Sequence, residues 1–136
     1  MRVFLDANIL FSAANPRSHM RLLVDVLLAH RIPCLTNAYA AEEARRNLAA
    51  HVPQHLTGLR ALLPQLALVD RLVAKLEITL KPKDVPILYA AVAGKATHLL
   101  TCDVADFGEV MRRPYKNLKV VTPVMLAHEL KQLGII

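Results

Sequence analysis

Five carboxylates fall at or near the predicted ends of strands and starts of helices, where they could form one site. They are Asp6, Glu43, Asp84, Asp103 and Asp106. Two unit charges about 4 Å apart repel by about 4 kcal/mol at an effective dielectric constant near 20, so converging carboxylates need a cation or a proton. Hard oxygen ligands favour Mg²⁺, Mn²⁺ or Ca²⁺ over zinc. If these side chains meet, we expect a divalent cation among them.

Helix capping is a simpler structural explanation for several of these residues. Aspartate at a strand end commonly caps the next helix, because its carboxylate accepts hydrogen bonds from backbone N–H groups. Taken singly, capping explains Asp84 and Asp103 well. It explains Asp6 less well, because Asn8 already provides a turn-forming residue, and it does not apply to Glu43, which falls inside a predicted helix. Only the combination favours a site over a set of caps.

The elements that must position these acids alternate between short apolar runs and helical periods. We predict strands over residues 2–5, 33–36, 97–101 and 118–121. We predict helices over residues 17–30, 38–51, 56–66 and 70–77, a helix capped by Asp84 that ends before Gly94, a short helix over residues 104–111 that Pro114 limits, and a last helix that starts at Thr122 and ends at Gly134.

This alternation predicts a single α/β domain over residues 1–136, with a mostly parallel sheet covered on both faces. In open α/β sheets, ligands bind beyond the carboxyl ends of the strands. Asp6 and Asp103 follow predicted strands, Asp106 comes three residues later, and Glu43 and Asp84 lie near the starts of helices. All five acids can therefore reach the same edge of the sheet.

The remaining charges point to a polyanionic partner. The chain has 17 Lys and Arg residues against 11 Asp and Glu residues, and six acids remain once the five above are set aside. An acidic pocket on a basic body suits a nucleic acid whose backbone phosphates contact the basic residues. The candidates for these contacts with a nucleic acid are Arg45, Arg46, Lys81, Lys83, Arg112, Arg113 and Lys116.

Composition favours a cytoplasmic protein. No apolar run approaches the roughly 18 residues that a membrane span requires. Two cysteines, Cys34 and Cys102, form no disulfide framework, and we expect both to be reduced.

Four segments in this order resemble the PIN-domain family, and within it the VapC-like toxins of toxin–antitoxin pairs. The resemblance covers nearly the whole chain, and it departs from the family at Cys102, where a glycine is frequent. The segments are Val3-Phe4-Leu5-Asp6-Ala7-Asn8, Glu42-Glu43-Ala44-Arg45-Arg46-Asn47-Leu48, Asp84-Val85-Pro86-Ile87-Leu88-Tyr89-Ala90-Ala91 and Leu99-Leu100-Thr101-Cys102-Asp103-Val104-Ala105-Asp106-Phe107.

The resemblance implies a three-layer α/β/α sandwich and an endoribonuclease that uses Mg²⁺ or Mn²⁺. Matching the family's acidic positions implies catalytic roles for Asp6, Glu43, Asp84 and Asp103. The metal ligands would come from Asp6, Asp84, Asp103 and Asp106, with Asn8 and Thr101 as supporting polar residues. Glu43 is preferred to Glu42 because Leu48 follows it by five residues.

The resemblance also implies an antitoxin partner and cleavage that leaves a 5′-phosphate and a 3′-hydroxyl. The leucine-rich segment 56–76 is long for so small a domain, and we expect it to form a homodimer contact or an antitoxin groove unless it packs on its own core.

Other classes of protein explain the pattern less well. A receiver domain would need paired acids after the first strand and a lysine after the last, and a phosphatase would need an aspartate in place of Asn8. A zinc site from His51 and His55 is disfavoured because Pro53 lies between them. The serious alternative is a catalytically silent PIN fold that only binds nucleic acid or protein.

Overall fold

The computed structural model describes residues 1–70, 84–107 and 114–136, without the side chains of Val104 and Asp106. Within these ranges the strands are β1 (Val3–Leu5), β2 (Cys34–Thr36), β3 (Ala67–Leu68), β4 (His98–Leu100) and β5 (Lys119–Val121). The α-helices are α1 (Ala7–Ala13), α2 (His19–Ala29), α3 (Ala38–His51), α4 (Leu56–Leu62), α5 (Val85–Ala93) and α6 (Pro123–Gln132), and short 3₁₀ turns occupy Pro53–His55, Leu63–Gln65 and Val104–Phe107.

The strands form one parallel sheet with the order β3-β2-β1-β4-β5. Val3 pairs with Cys34 on one side and with His98 on the other, so β1 is the central strand. All three residues of β1, β2 and β4 are buried, as expected for parallel strands covered on both faces. The predicted α/β fold with a parallel central sheet is therefore confirmed.

The direction of the chain across the sheet reverses once. The connections from β1 to β2 and from β2 to β3 run one way, and those from β3 to β4 and from β4 to β5 run the other way. Because parallel crossovers are right-handed, the reversal puts the helices of the two halves on opposite faces and opens a crevice between β1 and β4. Ligand sites of such sheets lie at this crevice, beyond the carboxyl ends of the strands.

Two elements were not expected from the sequence, α1 and β3. Helix α1 begins directly after β1, and Asp6 caps it through a hydrogen bond from the Ala7 N–H. Strand β3 has only two residues, both exposed, at the edge of the sheet. The predicted helix over 70–77 and the end of the helix predicted over 104–111 lie outside the described residues, whereas α3 has the predicted bounds.

The leucine-rich segment packs at least in part on its own domain. Leu59, Leu62 and Leu66 are buried in the core, whereas 63% of Leu68 is exposed. Leu72 and Leu76 lie outside the described residues, and the homodimer stays a prediction. No helix in the described part of the chain is long and apolar enough to cross a membrane.

Helices α1 and α4 approach so closely that only glycine fits at position 58. A Cβ atom there would lie 1.8 Å from the carbonyl oxygen of Ala14. We expect Gly58→Ala to lower the free energy of unfolding by about 1–3 kcal/mol, because the two helices must move apart. Urea unfolding would measure this, with Thr57→Ala, an exposed position of α4, as a control that should change little. Unchanged stability in Gly58→Ala would contradict the close contact.

Candidate active site at the carboxyl edge of the sheet

Asp6 lies at the end of β1 and is buried, with 5% of its surface exposed. Its carboxylate accepts a hydrogen bond of 2.7 Å from the Ala7 N–H and another of 2.7 Å from the Thr101 hydroxyl. Burial raises the pKa of Asp6 above its ordinary value, these two bonds oppose the rise, and the charges of Asp103 and Glu43 add to it. The expectation that capping fits Asp6 poorly was wrong, because Asp6 both caps α1 and faces the other acids.

Asn8 joins the end of β1 to the loop after β4. Its side-chain nitrogen lies 3.3 Å from Asp6 Oδ2, 3.2 Å from Thr101 Oγ1 and 3.2 Å from Asp103 Oδ2, and donates to them. Its oxygen accepts a hydrogen bond of 3.0 Å from the Cys102 N–H. One amide therefore fixes the relative positions of Asp6 and Asp103 across the crevice between the two strands.

Helix α3 contributes Glu43 rather than Glu42. Glu43 lines the cleft at the carboxyl edge of the sheet, together with Asp6 and Asp103. Glu42 is exposed and pairs with Arg45 at 2.6 Å on the outer surface of the helix. The structure thus places Glu43, and not Glu42, in the cleft.

Asp84 is buried at the start of α5 and lines the same cleft. Its side chain makes no capping hydrogen bond to α5, so capping does not account for the residue. The start of α5 is tied to α3 by Asn37, whose amide donates to the Pro86 carbonyl at 3.3 Å and accepts from the Ala40 N–H at 2.8 Å. This link holds the elements that carry Glu43 and Asp84 in a fixed arrangement.

Together these elements enclose a cleft of about 380 Å³. It brings together the carboxylates of Asp6, Glu43, Asp84 and Asp103, four of the five predicted acids. The side chain of Asp106 lies outside what the structure describes. The cleft is also lined by Phe11 and Asn47, which were not predicted as site residues, and by His51, which was considered only as a zinc ligand. The spacing of Asn47 and His51 could have indicated these two, because they follow Glu43 by one and two turns of α3.

The predicted RNA-contacting basic residues do not line this cleft where they are described. Arg45 pairs with Glu42, and Arg46 lies 4.0 Å from the same carboxylate. Lys116 stands over the ring of Tyr115 at 5.7 Å. Lys81, Lys83, Arg112 and Arg113 lie outside the described residues, and contact of these seven residues with RNA stays a prediction.

The carboxylates of the cleft suit a divalent cation that keeps some of its water ligands. They suit a metal ion held by protein ligands alone less well. Among the described residues, no three Asp, Glu, His or Cys side chains lie close enough together to hold a metal ion by themselves. Mg²⁺ generally keeps several waters and binds proteins through one or two carboxylates. A cleft with two buried carboxylates and two more beside them fits that mode of binding, and it does not fit a four-ligand zinc site.

Cys102, where the sequence departs from the family that it resembles, is exposed beside this cleft. Partial burial of its sulfur, together with the charges of Asp103 and Asp6, raises the pKa of the Cys102 thiol. Because the thiolate is the reactive form, these neighbours make Cys102 less reactive.

The raised pKa of Asp6 predicts how stability depends on pH. The folded state binds the Asp6 proton more tightly than the unfolded chain, so the contribution of Asp6 to the free energy of unfolding falls as pH rises from 3.8 through the raised pKa. In metal-free buffer, the free energy of unfolding of the wild type minus that of Asp6→Asn should therefore fall over this window and level off above it. Urea unfolding between about pH 4 and 8 measures this difference. A difference that rises with pH would contradict it.

No family model matches the sequence, and no curated protein matches it either. The fold does match a chain in a solved structure. That structure is the crystal structure of VapBC2 from Rickettsia felis bound to a DNA fragment from the VapBC2 promoter. The TM-score is 0.62 at 20% sequence identity, and the match covers 90% of this chain and 98% of that chain. This similarity establishes a shared α/β fold, which is consistent with the PIN-like architecture.

Proposed function

We propose that this protein is an endoribonuclease that depends on Mg²⁺ or Mn²⁺, and that it acts as the toxin of a toxin–antitoxin pair. One observation carries the proposal: four carboxylates from four separate parts of the chain line one cleft where the direction of the sheet reverses. Burying Asp6 beside other carboxylates is unfavourable for folding alone, and such a cost is typical of a site kept for function.

Asp6, Asp84 and Asp103, with Asp106 as a further candidate, are the residues that would hold the cation. When bound, it would supply charge neutralisation at the phosphate and activation of water. Thr101 and the Ala7 N–H fix the orientation of the Asp6 carboxylate, and Asn8 fixes that of Asp103. Glu43 faces the cleft from α3, where its carboxylate can accept a hydrogen bond from the attacking water and orient it.

The proposed reaction is hydrolysis of an RNA phosphodiester. A bond forms between the water oxygen and phosphorus, the bond from phosphorus to the 3′ oxygen breaks, and a proton reaches the leaving oxygen. The products are a 5′-phosphate and a 3′-hydroxyl, as the family resemblance implies. The 2′-hydroxyl takes no part in this chemistry.

The fold neighbour supports the proposed partner. VapBC2 is a protein pair, crystallised with promoter DNA. By analogy, the partner of this chain would be an antitoxin protein. A homodimer and a cytoplasmic location belong to the same proposal.

The test is cleavage of a labelled total RNA preparation by the purified chain with Mn²⁺ and with excess EDTA. We expect cleavage with Mn²⁺ alone, and products that a 5′-phosphate-dependent exonuclease degrades. Equal cleavage in EDTA, or products that end in a 2′,3′-cyclic phosphate, would refute the proposal.

A catalytically silent binding module is the second candidate. It is favoured by the absence, among the described residues, of three ligands in direct reach of one ion, and by the Asn8 amide that links Asp6 to Asp103. This candidate predicts RNA or DNA retardation in a gel that is the same in EDTA and in Mn²⁺, with no cleavage in either.

A further inference from the structure

The cleft is lined by two chemically different sets of side chains. One set is the four carboxylates, and the other is Phe11, Asn47 and His51. Phe11 lies on α1 and is partly buried against the core, whereas Asn47 and His51 are exposed on α3. The second set therefore presents an aromatic ring, an amide and an imidazole, and no Lys or Arg of the described residues lines the cleft beside them.

The face of α3 that lines the cleft presents a carboxylate first and then an amide and an imidazole along its length. Glu43, Asn47 and His51 are spaced by four residues, so they lie on one face of the helix. Eight residues of helix span about 12 Å, which separates His51 from Glu43 by more than the size of a phosphate. The cationic side chains of α3, Arg45 and Arg46, are engaged with Glu42 and do not line the cleft.

The side chains of Phe11, Asn47 and His51 are suited to binding a flat heterocycle. Proteins recognise unpaired bases in RNA by stacking them on aromatic or imidazole rings and by hydrogen bonds to their edges. Asparagine offers a donor and an acceptor in one plane, which matches the edge of a base. A phosphate would instead require cations, and an aliphatic group would not use the amide. The cleft volume of about 380 Å³ lies within the usual range for small-ligand sites, about 300–1,000 Å³.

We infer that Phe11, Asn47 and His51 form a base-binding subsite, which holds an unpaired nucleobase of the nucleotide next to the phosphate to be cut. The inference rests on the proposed function, because it takes the carboxylates as the place of that phosphate. The base must be unpaired, since a base within a duplex is stacked and paired and cannot enter the cleft.

Binding of mononucleotides tests this subsite without cleavage. Titration calorimetry of the wild-type chain with Mg²⁺ would compare the four nucleoside 5′-monophosphates with ribose 5-phosphate, which lacks a base. Stacking of one base on an aromatic side chain corresponds to roughly 5- to 150-fold in affinity. We therefore expect at least one nucleotide to bind about tenfold or more tightly than ribose 5-phosphate.

Substitutions assign that difference to the named side chains. Asn47→Ala and His51→Ala should remove most of it, and so should Phe11→Leu, which keeps apolar volume against the core but removes the ring. His128→Ala, an exposed histidine on α6 that does not line the cleft, is the matched control and should bind like the wild type. Equal affinity for all probes, or variants that keep the full preference for a base, would overturn the inference.

Cleavage assays separate this inference from the proposed function. If RNA is cut and the Asn47→Ala and His51→Ala variants show a higher KM or altered base preference at the cut, both are supported. If RNA is cut with unchanged KM and unchanged preference, the subsite is overturned and the nuclease stands. If no RNA is cut but binding still depends on the base and on Asn47, the nuclease is refuted and the subsite stands.

Discussion

Glu43→Gln and Asp84→Asn are expected to lower the rate of RNA cleavage by about 100-fold or more, with the fold unchanged. Each substitution keeps the size of the side chain but replaces one of the four carboxylates of the cleft with an amide. Asp84→Asn should weaken the hold on the cation, whose charge stabilisation at a phosphate is worth several kcal/mol, and Glu43→Gln removes the carboxylate that would orient the attacking water. About 2.7 kcal/mol already corresponds to 100-fold in rate. The measurement is kcat/KM on a fluorogenic oligoribonucleotide with Mn²⁺.

The residue next to Glu43 supplies a matched control. Glu42 has the same side chain on the same helix, but it is exposed and pairs with Arg45 outside the cleft. Exposed ion pairs of this kind contribute little to stability because solvent screens them. Glu42→Gln should therefore cleave within about twofold of the wild type, and equal losses in both variants would exclude the cleft as the active site.

A second large effect is expected on the thermal stability of the protein when Mn²⁺ is added. Mn²⁺ at about 100 times its dissociation constant should stabilise the wild type by about 2.7 kcal/mol, because the unfolded chain has no site for it. For a domain of this size that corresponds to a rise in Tm of roughly 10 °C. Asp103→Asn should lose most of this rise. In EDTA the same variant should melt slightly above the wild type, because Asp103 adds to the unfavourable charge around buried Asp6.

Asp25→Asn is the control for this experiment. Asp25 is exposed on α2, where it pairs with Arg21, and it does not line the cleft. Its variant should gain from Mn²⁺ as much as the wild type does. If Mn²⁺ shifts the Tm of none of the three proteins, the carboxylates form no cation site and the silent binding module becomes the better explanation.

The sequence predicted the helices best where local chemistry marks both ends. Helix α3 has the predicted bounds because Asn37 caps its start and Pro53 follows its end. Helix α1 was not predicted because it has only seven residues and begins at Asp6, which the sequence allowed as a strand end followed by a turn. Strand β3 was missed because two residues give no alternating pattern, and its pairing with β2 depends on distant parts of the chain.

One part of the candidate site could be predicted from the rule that ligands bind beyond the carboxyl ends of parallel strands. The carboxyl ends of β1 and β4 are neighbours in any sheet of this order, so Asp6 and Asp103 were expected to converge. The roles of Asp6 and Asp84 as caps were assigned in reverse, because a capping bond depends on backbone angles that residue type does not set. Phe11 was not expected in the cleft, since its place depends on how α1 packs against α3.

The order of the strands also constrains when the cleft can exist during synthesis. Asp6 is made early, but the hydroxyl that holds its carboxylate belongs to Thr101, 95 residues later. At about 5–20 residues per second, a ribosome needs roughly 5 to 20 s to add that stretch. Until then β1 lacks its neighbour β4, and Asn8 and Asp6 lack their partners on the far side of the crevice. A nascent chain that ends before residue 98 therefore has no such cleft, so any activity housed there begins only after β4 and Thr101 have been made.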